Sequence, residues 1–175
     1  FPSVIIRGDY NCLRIGDVRF FYGSRENHLW KILSALCGVE LLYENSSDAV
    51  NQRKAILEKL RLGMTDIIRR CRTTRYAVQD SSIEVVSLNE TIGSLLKENP
   101  DIRTIFFTSS SGVVNAETLT RRLLKDKGLM RGTRIIRDKA PRMKSFIFNG
   151  GYTINTVSLL SPSPKQSTNV LIAFL

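Results

Sequence analysis

Between Asn27 and Cys37 the apolar residues Leu29, Trp30, Ile32, Leu33, Leu36 and Cys37 recur at the spacing of one helix face, and Gly38 supplies a stop. Ser46, Ser47 and Asp48 offer caps for a second helix that carries Val50, Ile56, Leu57 and Leu60 and ends at Gly63. A third helix begins at the capping residue Asn89, carries Ile92, Leu95 and Leu96, and stops before Pro100. A fourth runs from Ala116 to Lys127 and is closed by Gly128. Strand character is clearest over Ile102–Thr108, where β-branched and aromatic residues suit a pleated surface. Residues 145–148 and 153–160 read as two more strands, with Asn149-Gly150-Gly151 between them as a hairpin turn. Val4-Ile5-Ile6 fits either a strand end or a packed loop, and residues 8–19 read as a loop. Met64–Cys71 passes from apolar to strongly basic.

Helices that alternate with strands predict an α/β layer fold around a partly parallel sheet. No repeat or low-complexity tract interrupts the 175 residues, so one domain over 1–175 is expected. Such a length buries roughly 70% of the unfolded surface without help from disulfides or metals. In sheets of this kind ligands bind beyond the carboxyl ends of the strands, which marks Thr108-Ser109 and Ser161-Pro162 by topology alone. No apolar run approaches the ~20 residues of a membrane span. No signal peptide opens the chain, and a cytoplasmic protein is expected. The first residue is Phe1 rather than Met, so an N-terminal piece is expected upstream.

Charge narrows the partner. Twenty-six Lys and Arg against sixteen Asp and Glu give a net charge of +10, an excess that favours a polyanion, usually nucleic acid. It is concentrated in Arg69, Arg70, Arg72 and Arg75, in Arg121, Arg122, Lys125 and Lys127, and in Arg131, Arg134, Arg137, Lys139, Arg142 and Lys144. The middle cluster lies on a predicted helix whose last turn favours cations anyway. Cys12, Cys37 and Cys71 are widely spaced and form no CxxC pair, so neither a structural zinc site nor an iron–sulfur cluster is expected. With His28 as the one histidine, His-based triads and multi-histidine metal sites have little to work with. The expected chemistry uses amides, hydroxyls, carboxylates and bound water, with no cofactor and no metal.

Three segments carry candidate chemistry. In Phe20-Phe21-Tyr22-Gly23-Ser24-Arg25-Glu26-Asn27-His28-Leu29-Trp30, three aromatics enter a Gly-Ser turn before a helix. An aromatic in that place stacks on a planar base, and equally well belongs to the core with Asn27 as a cap. Gly63-Met64-Thr65-Asp66 is a polar step at a possible strand end, with Asp66 placed to accept from a base edge or to cap a helix. Leu159-Leu160-Ser161-Pro162-Ser163-Pro164 runs a strand into a stiff loop of small hydroxyls, suited to gripping a phosphodiester or simply to turning at the surface. Ser109-Ser110-Ser111-Gly112 lacks the lysine and the glycine spacing of a P-loop.

In this order and spacing the three segments resemble the uracil-DNA glycosylase superfamily, most closely its mismatch-uracil and hypoxanthine branch. The resemblance spans nearly the whole chain. It implies a three-layer α/β/α fold with a central, mostly parallel four-stranded sheet, and a monomer. It further implies a monofunctional DNA glycosylase that hydrolyses the N-glycosidic bond of a flipped uracil or hypoxanthine. Carried over position by position, Asn27 matches a catalytic asparagine, Tyr22 with Phe21 the aromatic platform under the base, and Thr65 and Asp66 the contact to the base edge. Ser161, Ser163 and Lys165 match the loop that pinches the DNA backbone, and Phe1-Pro2-Ser3 half-matches an opening Gly-x-Phe-Pro-Ser in which Ser3 touches the backbone. In that last match the strand preceding the motif would lie outside the chain. Ser161 stands where the most active uracil enzymes carry histidine, Ser24-Arg25 replaces His-Pro, and Lys165-Gln166-Ser167 replaces an apolar wedge. These departures favour the alternative, a non-catalytic nucleic-acid-binding protein on the same fold.

Overall fold

The chain begins with strand β1 (Ser3–Arg7), followed by helices α1 (His28–Cys37) and α2 (Ser47–Lys59). Strands β2 (Leu62–Asp66), β3 (Ile68–Thr73) and β4 (Ile83–Leu88) precede helix α3 (Thr91–Glu98). Then come β5 (Thr104–Phe107), helix α4 (Ala116–Asp126), β6 (Met130–Arg137), β7 (Arg142–Phe148) and β8 (Tyr152–Ser158). This computed structural model describes residues 3–7, 17–73, 83–108, 114–149 and 151–161. The chain divides into two compact units, Phe1–Asn11 with Arg61–Leu159, and Cys12–Leu60 with Leu160–Leu175.

The larger unit is a mixed α/β structure. Its main sheet has six strands in the order β2-β1-β5-β8-β7-β6, rather than the expected four. The first four are mutually parallel, and β7 and β6 extend them antiparallel through the Asn149–Gly151 hairpin. Val4-Ile5-Ile6 forms the interior of β1, with β2 on one side and β5 on the other. The two antiparallel strands extend the sheet because a tight turn returns β8 beside β7, and no crossover helix is needed. A separate ribbon pairs β3 with β4.

Alternation decides which side of the sheet is core. Ile105, Phe107, Ile154, Phe146 and Phe148 point to one face, where they meet Ile92 and Leu96 of α3 and Ala116, Leu123 and Leu124 of α4. Full burial of each such side chain is worth about 1.5–3 kcal/mol. Gly63 does not stop a helix: α2 ends at Lys59, the chain reverses at Arg61 with φ 54, and Gly63 pairs with Val4 inside β2. The helix α3 opens two residues after Asn89, whose Oδ1 accepts from the Thr91 N–H at 3.3 Å as a capping side chain does, while Glu90 makes no side-chain cap bond.

The smaller unit packs α1 on α2. Asn27 and Ser46 cap the two helices through their side chains. The Lys59 ammonium donates to the Cys37 carbonyl at 3.1 Å, closing the end of α1. The buried face of α2 is Ala49, Arg53, Ile56 and Leu57, so Arg53 takes part where an apolar pattern points to Val50 and Leu60. Among the described residues, no helix is long and apolar enough to cross a membrane.

Candidate functional site

In the smaller unit the segment 17–27 is a tight turn. The Val18 N–H donates to Gly23 O at 2.8 Å, the Gly23 N–H to Phe20 O at 3.0 Å, and the Arg25 N–H to Asp17 Oδ1 at 3.1 Å. A Cβ on Gly23 would stand 1.7 Å from the Val18 carbonyl oxygen, so this position admits only glycine. The turn holds Tyr22 at φ 52, a backbone region that side chains disfavour, and directs its ring inward. Tyr22 is 1% exposed, so it has no face open to a stacked base. Phe20 and Phe21 are half-buried instead. Their rings meet edge to face at 5.3 Å, and the Trp30 indole N–H fixes the Phe21 carbonyl at 2.6 Å. Of the expected platform, Phe21 keeps the accessible ring and Tyr22 is core.

Asn27 is 5% exposed. Its Oδ1 accepts from the Leu29 N–H at 2.9 Å, and that donor fixes the orientation of the amide. The amide Nδ2 therefore points away from the helix and makes no hydrogen bond among the described residues. An oriented donor thus stands at the positive end of α1.

Behind the turn, the Arg53 guanidinium is fully buried and donates to Leu42 O and Ala49 O, each at 3.0 Å. It lies 5.5 Å from the centre of the Trp30 ring and 5.8 Å from that of Tyr43. Burial lowers its pKa and the neighbouring Tyr43 raises it in part. This cation ties α2 to the two aromatic rings.

In the larger unit the carboxyl edge of the parallel strands is the natural ligand side. Register aligns Arg7 with Asp66, Ile6 with Phe107, and Phe107 with Ser158, so the ends of β2, β1, β5 and β8 form one rim. The strand order reverses between β1 and β5. Thr65 and Asp66 sit at this rim on the edge strand β2, both half-buried. Asn89 clamps them: its Nδ2 donates to Asp66 O at 2.9 Å and Thr65 Oγ1 at 3.2 Å, and its backbone N–H to Ile67 O at 2.7 Å. Ser3 belongs elsewhere. It opens β1 opposite Leu62, at the amino end of the strands and away from the rim.

Three strands along from β2, at about 14 Å by strand spacing, the rim holds a polar cluster that no motif in the sequence marks. The Glu117 carboxylate, 5% exposed, accepts from Lys144 Nζ at 2.6 Å and Ser158 Oγ at 2.7 Å, with Arg142 Nη2 at 3.6 Å. Burial pushes the Glu117 pKa up, but the hydrogen bonds from Lys144 and Ser158 and the charges of Lys144 and Arg142 outweigh it. The net effect holds the group below the ordinary glutamate value, so it stays ionised. The cluster joins the start of α4 to β7 and to the last residue of β8.

Ser161 is half-buried. Ser163, Lys165 and the segment Ser109–Gly112 lie outside the described residues. Among the described residues, no group of three or more His, Cys, Asp or Glu is placed to hold a metal ion. Comparison with protein-family models, curated proteins and solved structures finds no match to the chain.

Proposed function

We propose that the chain is a monofunctional DNA glycosylase that hydrolyses the N-glycosidic bond of a flipped, deaminated base on a uracil-DNA glycosylase-like, three-layer α/β/α fold. The observation that carries the reading is the Asn27 amide: its oxygen is committed to the helix and its NH₂ is not. Departure of the base leaves negative charge on a ring carbonyl, and a preorganised donor at a helix N-terminus stabilises such charge as it develops. In this reading Nδ2 donates to the base, Phe21 supplies the stacking ring, and Ser161 with Ser163 and Lys165 meets the DNA backbone. Four contiguous parallel strands are in keeping with that fold, and selectivity comes partly from the lower cost of flipping a mispaired base.

The test is an excision assay on oligonucleotides carrying uracil, hypoxanthine or xanthine, with alkali to cleave abasic products. Cleavage confined to one lesion supports the reading and names the base. Asn27→Asp is the informative variant, because a carboxylate caps a helix as well as an amide but has no N–H to donate. Excision is expected to fall by about 10²–10³ with no loss of stability. Undiminished excision would remove Asn27 from catalysis. The buried ring of Tyr22 and the serine at 161 favour a second reading, a non-catalytic binder on the same fold. DNA binding without excision of any lesion would support it.

A further inference from the structure

We infer that the β3–β4 ribbon is a docking track for the phosphate backbone of nucleic acid, centred on Arg69, Arg70 and Arg72. In regular alternation, consecutive arginines would point to opposite faces of a strand. Here the register shifts on both sides of Arg70, between Ile68 and Arg70 and again between Arg70 and Cys71. Bulges of this kind re-aim side chains. As a result Arg69, Arg70 and Arg72 are all exposed, while Cys71 packs toward the core with Val85.

The three arginines line a shallow groove of about 330 Å³ with Cys71 and Val86. None of them forms an ion pair among the described residues, even though Glu84 stands across the ribbon from Arg72. Glu90 lies within electrostatic reach of Arg69, but its carboxylate is bonded to Lys127 at 2.9 Å. Arg70 and Arg72 are two residues apart on a strand, about 7 Å, and each presents a planar fork suited to bidentate contact with a phosphate. Among the described residues the groove is lined by guanidinium groups and not by aromatic rings, which suits contact to the backbone irrespective of sequence. One exposed valine is too little apolar surface for a lipid anchor.

Several of the other basic residues already have neighbours: Arg142 and Lys144 face Glu117, Arg121 donates to Thr133, and Arg122 lies beside Asp126. Arg131 and Arg134 on β6 are exposed like the β3 arginines and form no ion pair among the described residues. The inference leans on the glycosylase reading only in taking the nucleic acid to be DNA. The same track would serve a non-catalytic binder.

The experiment measures binding to a fluorescent, lesion-free duplex across a salt series, so excision plays no part. Each phosphate contact contributes about 0.9 to the slope of log K against log salt. Arg69→Gln/Arg70→Gln/Arg72→Gln is expected to flatten that slope by about 2–3. The control variant Arg122→Gln/Arg142→Gln, whose cations already lie beside Asp126 and Glu117, should flatten it by less than about 1. An unchanged slope in the first variant, or equal flattening in both, overturns the track. So does tighter, arginine-dependent binding to phosphatidylserine vesicles or polyglutamate than to duplex. If the triple variant does not fold, Arg70→Gln alone should flatten the slope by about 0.9. A flattened slope with no excision by the parent sinks the glycosylase reading and spares the track, and the reverse pattern does the opposite.

Discussion

Arg142 and Lys144 enter β7 beside a buried carboxylate, whereas Arg69, Arg70 and Arg72 on β3 form no ion pair among the described residues. The two ribbons are alike in composition, each a short antiparallel pair rich in arginine. They differ in what anchors them. Glu117 holds β7 through charge, with Lys144 and Ser158 both bonded to it. The β3–β4 ribbon is held by Asn89, a neutral side chain that follows β4 and reaches back to Thr65 and to the carbonyl of Asp66. An uncharged anchor leaves the positive charge of its ribbon uncompensated, so that charge is available to a partner. Counting basic residues therefore says less about binding than asking which of them already have a counter-ion.

The largest effect expected from this comparison is on stability. Glu117→Ala leaves buried Ser158 and partly buried Lys144 without their acceptor and should cost about 3 kcal/mol, at the lower end for breaking a buried pair. Replacing Arg69, Arg70 and Arg72 together by glutamine should change stability by no more than about 0.5 kcal/mol, as exposed side chains without partners do. Urea midpoints of the two variants check both values. Similar losses would mean that β3 carries internal pairing after all.

Acid should separate the ribbons in the same sense. The folded-state pKa of Glu117 is depressed, so its contribution to stability is fully present above the ordinary glutamate pKa and is lost as pH falls through the lower folded value. The difference in urea midpoint between the parent and Glu117→Gln should accordingly shrink as the solution is taken from neutral into the carboxylate range. A difference that stays constant to acid would show that the Glu117 charge does not matter.

The neutral anchor comes next in size. Asn89→Ala removes two side-chain donations and should cost about 1–2 kcal/mol, by the usual worth of partly buried hydrogen bonds. The loss should be felt at the β2 rim. Faster amide exchange around Thr65–Ile67, with protection kept in β7 and β8, is the expected signature, and a uniform change across the sheet would count against a local clamp.

Such differences mark the limit of what the sequence makes legible. Ile102–Thr108 announces a strand because β-branched and aromatic residues crowd it, and Asn149-Gly150-Gly151 announces the β7–β8 hairpin. The fully exposed run Arg131–Arg137 in β6 has no buried face to print an alternation, and its Gly132 takes a positive φ at a bulge, so it reads only as a basic patch. Val4-Ile5-Ile6 is too short to separate a strand from a loop until β2 and β5 flank it. The position of Asn27 ahead of a helix is readable, but the direction of its amide depends on the Leu29 N–H. Which aromatic turns inward at 20–22 depends on the backbone of Tyr22, which no periodicity records. Arg53 escapes notice because its burial is supported by two carbonyls, and Glu117 because Lys144 and Ser158 stand 27 and 41 residues away.

The smallest effect is also the most discriminating. Arg122 is exposed on α4 and stands 3.7 Å from Asp126, with side-chain exposures of 73% and 66%. An exposed pair four residues apart on a helix is worth about 0.3–0.5 kcal/mol, so Arg122→Gln should barely move the urea midpoint. Its effect on duplex binding tests the comparison itself. If an acidic neighbour removes a cation from the binding surface, the salt slope should flatten by well under the ~0.9 expected for one phosphate contact. If Arg122→Gln flattens the slope as much as Arg70→Gln does, loose pairing does not withdraw a charge. In that case the bulged groove of β3 would have no advantage over any other exposed arginine.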